Sequence, residues 1–566
     1  MSKWYLGLST SGHDPALALV DESGRVAFAE ATERYLQDKR AWGAAPDHVG
    51  HLESALAAIG FDPAADELVV ASSWARVKAN LPVRVSNALL PASDGLWLRG
   101  LQAHAVEAAG ASLLRLGLAA EQPEVLRFDH HECHAAAACY SAPFADGLCL
   151  VIDGEGEVGA ASLYRVRAGR AERLWRSWGP GSLGTFYAWL TGQCGFDWRA
   201  GEEWKVMGLA AFGTPDPMLV EALQAMLTMH KGRPQLGSAD AIARAVRAAG
   251  AYRRNAGDPA EKGADLAASG QLAYAMLVDQ MLAACVPLGE TNLILTGGCA
   301  LNSSYNGTIS GRFGFERVHV PPAPADDGNA IGAALLAWRQ DHPAAAIPFA
   351  RTSPFLGTAI PRRAIDLAAQ AQGLASVTQS AQPAALLAKR LAAGSIIGVM
   401  RGAAEFGPRA LGHRSILADP RPRDMKERIN NRVKGRETYR PFAPVIAATQ
   451  THEWFDRAQP SPYMGFTLPW QAEKRDRVPA VVHHDGTGRL QTVDQESNPW
   501  MAELLSAFER ETGVPIVLNT SFNVMGKPIV HTVQDAMAVL ATTGLDGVLL
   551  DDVLIEKSTS PAAPLQ

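Results

Sequence analysis

Asp129-His130-His131-Glu132-Cys133-His134 is followed at once by the alanine run Ala135–Ala138. Alanine is the strongest helix former, and on a helix His130 and His134 stand four positions apart on one face. Two imidazoles at that spacing can bind a single metal ion. The segment alone is equally compatible with one histidine capping the helix and the other satisfied in a core. Further ligands have to come from elsewhere, and Asp153 and Asp326, each at the end of an expected strand, are candidates. A set of two nitrogens and two oxygens with open positions suits Fe(II), Mn(II) or Zn(II).

A second chemical signal is charge. Arg401–Arg440 holds eleven of the 52 Lys/Arg residues against five acids, a net +6 inside a chain of net −6. Such an island has to be held against its own repulsion, and a multiply charged anion explains it better than a solvated face. Arg401, Arg409, Arg414, Arg432, Lys434, Arg436 and Arg440 form the cationic set. Arginine forks bind phosphate bidentately. Gly402, Gly407, Gly412, Pro408 and Pro441 break up the segment and favour a folded pocket. Leu518–Asn523 ends an apolar run in a turn that delivers Asn519 and Ser521, side chains that can hold an anion or a ribose, or simply close a turn.

Two weaker signals lie in the first half. Lys205 sits at the start of an apolar helix in Gly201–Ala210, placed for a phosphate or for solvent. Asn292–Thr296 runs into Gly297-Gly298 and then Cys299-Ala300-Leu301-Asn302, a strand–glycine–helix junction whose backbone amides can approach a phosphate or ribose closely.

The elements that must carry these groups read as α/β. Tyr5–Thr10, Ala16–Val20 and Val26–Ala31 are expected strands joined by polar or glycine turns. Leu148–Ile152, Ala160–Val166 and Ala171–Trp175 repeat the pattern, which suggests a duplicated hairpin element. Ala330–Trp338 is helical. Residues 346–358 read as a proline-bearing linker between a domain over 1–345 and a second α/β domain over 359–566.

Bulk properties narrow the classes. A chain of 566 residues is too long for one core. It is 47% hydrophobic and 19% charged, ordinary for a globular protein. The start has no signal-peptide core, and no apolar run approaches the roughly 20 residues that span a bilayer. Six cysteines without a CxxC pair read as buried free thiols in a reducing compartment, so a cytoplasmic protein without a membrane partner is expected. The negative net charge argues against nucleic acid as a partner.

Taken together, HHECH with AAAACY, VIDGEGE, KVMGLAAFG, TGGCALNSSYNG, VPPAPADDGNAIGAA, GPRALGHRSIL, INNRVKGRETYRPFAP and LNTSFN resemble the nodulation-protein-type and antibiotic O-carbamoyltransferases. They occur in the family's order and cover nearly the whole chain. The resemblance implies a first domain similar to the threonylcarbamoyl-transferring, actin-like ATPases, with duplicated lobes. It implies a second domain similar to carbamoyl-adenylate-forming (threonylcarbamoyl-AMP synthase-like) domains. The family's chemistry makes O-carbamoyl adenylate from carbamoyl phosphate and ATP, with Mg²⁺ on the nucleotide. It then passes the carbamoyl group to a hydroxyl, here expected on a small natural product of secondary metabolism.

By position, His130, His134, Asp153 and Asp326 match the family's metal ligands, usually described as iron, with Mn²⁺ or Zn²⁺ left open. His13 matches a histidine proposed to act in transfer. Gly297, Gly298 and Asn302 match the nucleotide junction, and Lys205 lies in a matching segment. Arg409, Lys434, Arg436 and Arg440 match the activation-site cations, with Asn519 and Ser521 in the matching turn. Glu132, Cys133, Pro15 and Lys527 depart from the family's usual residues. The same two domains also occur in tRNA-modifying and protein-maturation enzymes, and a non-catalytic nucleotide-binding module is a third reading. Trp74–Glu107 and Gly232–Lys262, which carry no substrate signature, are the stretches expected to line the acceptor pocket.

Overall fold

In this computed structural model the described residues are 2–76, 88–255, 257–347, 353–370, 376–436 and 439–557. The chain divides into two compact units, Met1–Thr352 and Ser353–Gln566. Residues 77–87 and 256 of the expected acceptor stretches, and 348–352 of the expected linker, lie outside the described residues.

The first unit is built twice over. In one sheet Lys3–Leu8 pairs antiparallel with Ala16–Val20, which pairs antiparallel with Val26–Ala31. On its other edge Lys3–Leu8 runs parallel to Glu67–Ser72, followed by Val125–Arg127. In the other sheet Gly147–Ile152 pairs antiparallel with Ala161–Arg167, and that strand with Arg170–Arg176. On its other edge Gly147–Ile152 runs parallel to Asn292–Thr296, which is followed by Arg317–His319. Strand order and sense are the same in both sheets. A meander followed by two helical crossovers, made twice, is the duplicated-lobe arrangement expected of an actin-like unit.

The first strand of each sheet is almost wholly apolar and buried toward its end, as a central strand covered on both faces must be. Helix Asn329–Asp341 packs on Lys3–Leu8, and helix His130–Ser141 packs on Gly147–Ile152 and Asn292–Thr296. These two helices also cross each other. Gly332 makes the crossing possible, because a Cβ there would stand 2.0 Å from the Cys133 carbonyl oxygen. Cys133 therefore belongs to a helix crossing. All six cysteines are free, and five of them are buried.

One helical stretch, Ala260–Leu288, is long and apolar enough to cross a membrane by length and composition. Within it, helix Ala264–Ala283 packs against Pro217–Gln224 and Glu203–Leu209.

The second unit holds a nine-stranded mixed sheet whose central strands include Ile397–Met400, Arg414–Ala418, Ile516–Ser521 and Ala443–Ala447. Helices Pro383–Ala392 and Pro499–Thr512 cover one face through Leu387, Leu391, Leu504 and Phe508, against Val399, Leu417 and Val517. The linker expected over 346–358 is shorter than its prolines suggest. Phe355–Ala359 is a strand paired antiparallel with Ala403–Glu405. Its Phe355 ring stacks on His413 at 3.5 Å between centroids, a long-range partner that local composition cannot announce.

Candidate functional site

Helix His130–Ser141 starts at Asp129, whose carboxylate accepts the Glu132 amide at 3.1 Å. Arg173 and Arg176, on the edge strand, fix that carboxylate at 2.8 and 3.0 Å. The buried Glu157 accepts the His130 amide at 2.9 Å and the Ala75 amide at 2.8 Å. The helix N-terminus is thus held by charged groups on two sides, and its first turn aims both imidazoles inward.

There His130, His134, Asp153 and Asp326 converge, all buried, with one ligand atom from each lying within 4.8 Å of the others. His130 Nε2 stands 3.1 Å from Asp153 Oδ2 and 3.5 Å from Asp326 Oδ1. His134 Nε2 stands 3.6 and 3.4 Å from the same two oxygens and makes no hydrogen bond. His130 Nδ1 faces the Ser73 carbonyl oxygen at 3.3 Å. A carbonyl can only accept, so Nδ1 carries a proton, and Nε2, which faces the Asp153 carboxylate, is the nitrogen that would turn its lone pair to a bound cation.

Burial pushes His130 and His134 down, but the two aspartates outweigh it and hold both histidines above the ordinary range. Burial pushes Asp326 up and His130 outweighs it, keeping the carboxyl well below the usual carboxylate range. Two carboxylates facing two imidazoles, with an orphaned buried nitrogen, are the donor set of a divalent cation. The residues fit the metal that their positions imply.

His13 joins this cluster from the first hairpin turn. Its Nε2 lies 3.6 Å from Asp326 Oδ2, and its Nδ1 lies 2.9 Å from Asp14 Oδ2. The Ser9 hydroxyl donates to the Asp326 carbonyl at 2.7 Å and ties the turn to the metal-side loop.

At the glycine junction both backbone amides meet partners within the protein, Gly297 on the Pro324 carbonyl and Gly298 on Asp153. Gly297 has φ +88°, and a Cβ there would stand 2.3 Å from the Ile152 carbonyl oxygen. Gly298 spends its amide on Asp153 Oδ1 at 2.9 Å. The chain then makes a 3-10 turn, Gly298–Leu301, in place of the helix expected from Cys299. Asn302 caps the short helix Ser303–Asn306 and exchanges two amide hydrogen bonds with Gln271, at 3.0 and 3.1 Å. Lys205 pairs with Glu202 at 2.6 Å.

In the second unit the cationic island separates by role. Arg414 is wholly buried and donates to the carbonyls of Arg401, His413, Thr358 and Gly402. Arg401 donates to the Asp551 carbonyl at 2.8 Å. Arg421 forks onto Asp419, and Arg428 donates to the Gly394 carbonyl. Arg432 is exposed. Lys434 is turned to the Ser521–Asn523 turn, where its ammonium meets the Ser521 carbonyl and hydroxyl and the Asn523 carbonyl and amide oxygens. Arg401, Arg414, Arg421, Arg428 and Lys434 thus all meet partners within the protein.

Arg409, Arg436 and Arg440 remain, and Arg489 joins them. Burial, then Arg409, Arg436 and Arg440, push Arg489 well below the ordinary arginine range, and burial alone pushes Arg409 down to about 10. Among the described residues no carboxylate pairs with Arg409 or Arg489, and Arg489 Nε has no partner. Arg436 Nε donates to Asn430 Oδ1 at 2.8 Å, which fixes one edge of its fork. Asn519, on Ile516–Ser521, is fully buried, with its Nδ2 on Gln491 and Ala410 and its Oδ1 unpartnered. Guanidiniums close enough to depress one another, two of them with no carboxylate partner among the described residues, suit an anion. Arg489 escaped the sequence reading because it lies outside the dense segment, as the one charged residue of the strand Thr487–Val493.

Residues 4–335 match the family described as Carbamoyltransferase N-terminus, and residues 388–557 match Carbamoyltransferase C-terminus. The chain is 37% identical to Nodulation protein NolNO of Sinorhizobium fredii, over 85% of this chain and 69% of that protein. It is 30% identical to Nodulation protein U of Sinorhizobium fredii over 97% of this chain and 98% of that one. It is 34% identical to "Uncharacterized protein sll1178" of Synechocystis over 78% of this chain and 77% of that one. Among solved structures, T. kodakarensis HypF aligns at 15% identity and TM-score 0.29, covering 60% of this chain and 48% of that one. The fold assignment rests on the repeated sheets and not on that alignment. Both family regions, in order and spanning most of the chain, establish that this protein belongs to the carbamoyltransferase family and is a transferase of carbamoyl groups.

Proposed function

We propose that the protein is an ATP-dependent O-carbamoyltransferase that works in two steps and delivers the carbamoyl group to a hydroxyl of a small molecule. The observation that carries this reading is the cluster of Arg409, Arg436, Arg440 and Arg489 in an acidic protein. In the first step, water and carbamoyl phosphate give carbamate and phosphate. A carbamate oxygen then attacks the α-phosphorus of ATP, brought with Mg²⁺, and pyrophosphate leaves. Both partners are anions. Guanidiniums placed before the reaction offset their repulsion and stabilise charge as it develops on phosphorus. The unpartnered Asn519 oxygen is an acceptor suited to a carbamoyl N–H.

In the second step a neutral alcohol attacks the carbamoyl carbon of the adenylate and AMP leaves. An alcohol is a poor nucleophile, and His13, whose Nε2 lies 3.6 Å from Asp326 Oδ2 at the edge of the cluster, is suited to take its proton. His130, His134, Asp153 and Asp326 would hold the divalent metal. When bound it supplies a Lewis acid beside His13.

The test is incubation with carbamoyl phosphate and ATP, followed by assay of phosphate, pyrophosphate and AMP. Pyrophosphate release that depends on carbamoyl phosphate is expected. ADP as the only nucleotide product would overturn the reading. Addition of candidate alcohols, read by the mass gain of one carbamoyl group, identifies the acceptor.

A further inference from the structure

Arg40 lies outside all the motifs that carry the resemblance, 27 positions beyond His13. Its Nη2 stands 2.7 Å from Asp14 Oδ2 and 3.0 Å from His13 Nδ1, and its Nε stands 3.2 and 3.1 Å from the two Asp14 oxygens. Nη1 donates to the Trp198 carbonyl at 3.2 Å. The main chains are joined as well. The Asp14 amide donates to the Arg40 carbonyl at 2.9 Å, and the Arg40 amide donates to Glu33 Oε2 at 2.9 Å. The guanidinium lies 4.7 Å from the centroid of the Trp42 ring, which itself packs 5.0 Å from His13.

This network holds two residues in a backbone region that side chains avoid, Asp14 at φ 47° and Arg40 at φ 60°. Such conformations are uncommon for residues with a Cβ and persist only where their surroundings over-determine them. Burial pushes the Asp14 carboxyl up, but Arg40 outweighs it and holds the group at about 2. Asp14 is therefore a carboxylate at neutral pH, and it can only accept.

The hydrogen bonds then assign the imidazole. An arginine keeps its protons. Nη2 carries two N–H groups and stands near both Asp14 Oδ2, at 2.7 Å, and His13 Nδ1, at 3.0 Å; the carboxylate oxygen is the nearer and the stronger acceptor. The same oxygen stands 2.9 Å from His13 Nδ1 and takes that proton too. We propose that Asp14 and Arg40 are positioning residues for carbamoyl transfer: Asp14 fixes His13 as the Nδ1–H tautomer, and Arg40 locks Asp14, so that Nε2 presents its lone pair to the acceptor hydroxyl. The proposal rests on the role of His13 as the base in transfer. In the step itself the acceptor oxygen bonds to the carbamoyl carbon and its proton passes to Nε2. The bond from that carbon to the phosphate oxygen breaks, and the electron pair leaves with AMP. The 3.6 Å between Nε2 and Asp326 Oδ2 exceeds a hydrogen bond and leaves the nitrogen available.

Two measurements on the full-length protein test this. ¹⁵N-histidine NMR of the neutral imidazole, with His13 assigned by its loss in His13→Gln, reads the tautomer directly. The expected wild-type signal is Nδ1–H. In Asp14→Asn, whose amide can donate to Nδ1, the population should move to Nε2–H. Arg40→Lys, which keeps the charge and loses the fork, should give a mixture. The second measurement separates the half-reactions, with glycerol as the probe acceptor. Asp14→Asn should slow carbamoyl transfer about 10²–10⁴-fold in kcat. Pyrophosphate release should stay within about twofold, since a misfolded variant would lose both. A wild-type Nε2–H tautomer, or transfer by Asp14→Asn at the wild-type rate, overturns the proposal. Wild-type protein that releases no pyrophosphate removes the adenylate reading instead, and the tautomer still decides the positioning of His13.

Discussion

The backbone amide of Gly298 donates to Asp153 Oδ1 at 2.9 Å, so the glycine turn after Asn292–Thr296 holds a carboxylate of the candidate metal cluster. The preceding Gly297 makes this approach possible with φ +88° and no room for a Cβ beside Ile152. Gly297→Ala is expected to destabilise the first unit by at least about 1–3 kcal/mol. It should also lower the bound metal per chain. Differential scanning calorimetry and elemental analysis check the two effects. A variant with wild-type melting temperature and metal content would show that the turn relaxes without cost.

Asn329 is fully buried, and its Nδ2 stands 3.2 Å from His130 Nδ1 while its Oδ1 has no partner. A half-turn of this amide sets the oxygen against the Nδ1–H that a metal-bound His130 must carry. Such outer partners orient the ligand, and their loss lowers metal affinity by about 10–100-fold. Asn329→Ala should show that drop in a competitive chelator titration with Fe(II) or Zn(II), whereas His134→Ala should abolish stoichiometric binding.

Arg414 and Arg489 come from one charge signal and should fail in opposite ways. Arg414→Met leaves four carbonyls without their donor and is expected to cost about 3 kcal/mol or more in urea unfolding. Arg489→Ala removes a charge that its neighbours repel. The melting temperature should hold or rise, while pyrophosphate release falls at least about 10²-fold. A destabilised Arg489→Ala with full activity would assign that guanidinium to the fold.

Acid should unfold the protein through histidines that the fold keeps neutral. Burial pushes His319 down to about 3 and His483 to about 4. Between those values and the unfolded histidine near 6.5, the unfolded chain binds protons that the folded one refuses. Stability is complete above that range and falls with decreasing pH by about 1.4 kcal/mol per pH unit for each such group. His319 reaches the Ser141 hydroxyl at 3.0 Å, so His319→Gln keeps a polar contact and should flatten the slope of denaturation midpoint against pH by one group's share. An unchanged slope would mean that His319 takes up its proton in the folded state.

What could be read from the order of residues was whatever depends on near neighbours. The helix after Asp129, the shared face of His130 and His134, the strands Ala16–Val20, Val26–Ala31 and Asn292–Thr296, and the repeated hairpins come from spacing, caps and turns. The excess charge of Arg401–Arg440 was legible as well. What each charge does was not, because a guanidinium's role is set by the partners that the fold delivers. Arg414 meets carbonyls from distant loops, Arg421 meets its own Asp419, and Arg489 arrives from another strand to meet Arg409, Arg436 and Arg440. The same holds for the glycine junction, whose amide found Asp153 across the sheet, and for Arg40, whose hold on Asp14 exists only once two loops are folded together. The sequence by itself determined the elements, the family and the kinds of side chain available. Only the tertiary structure decided which of them are satisfied by the fold and which are left facing a site, because burial and pairing are properties of contacts between segments far apart in the chain.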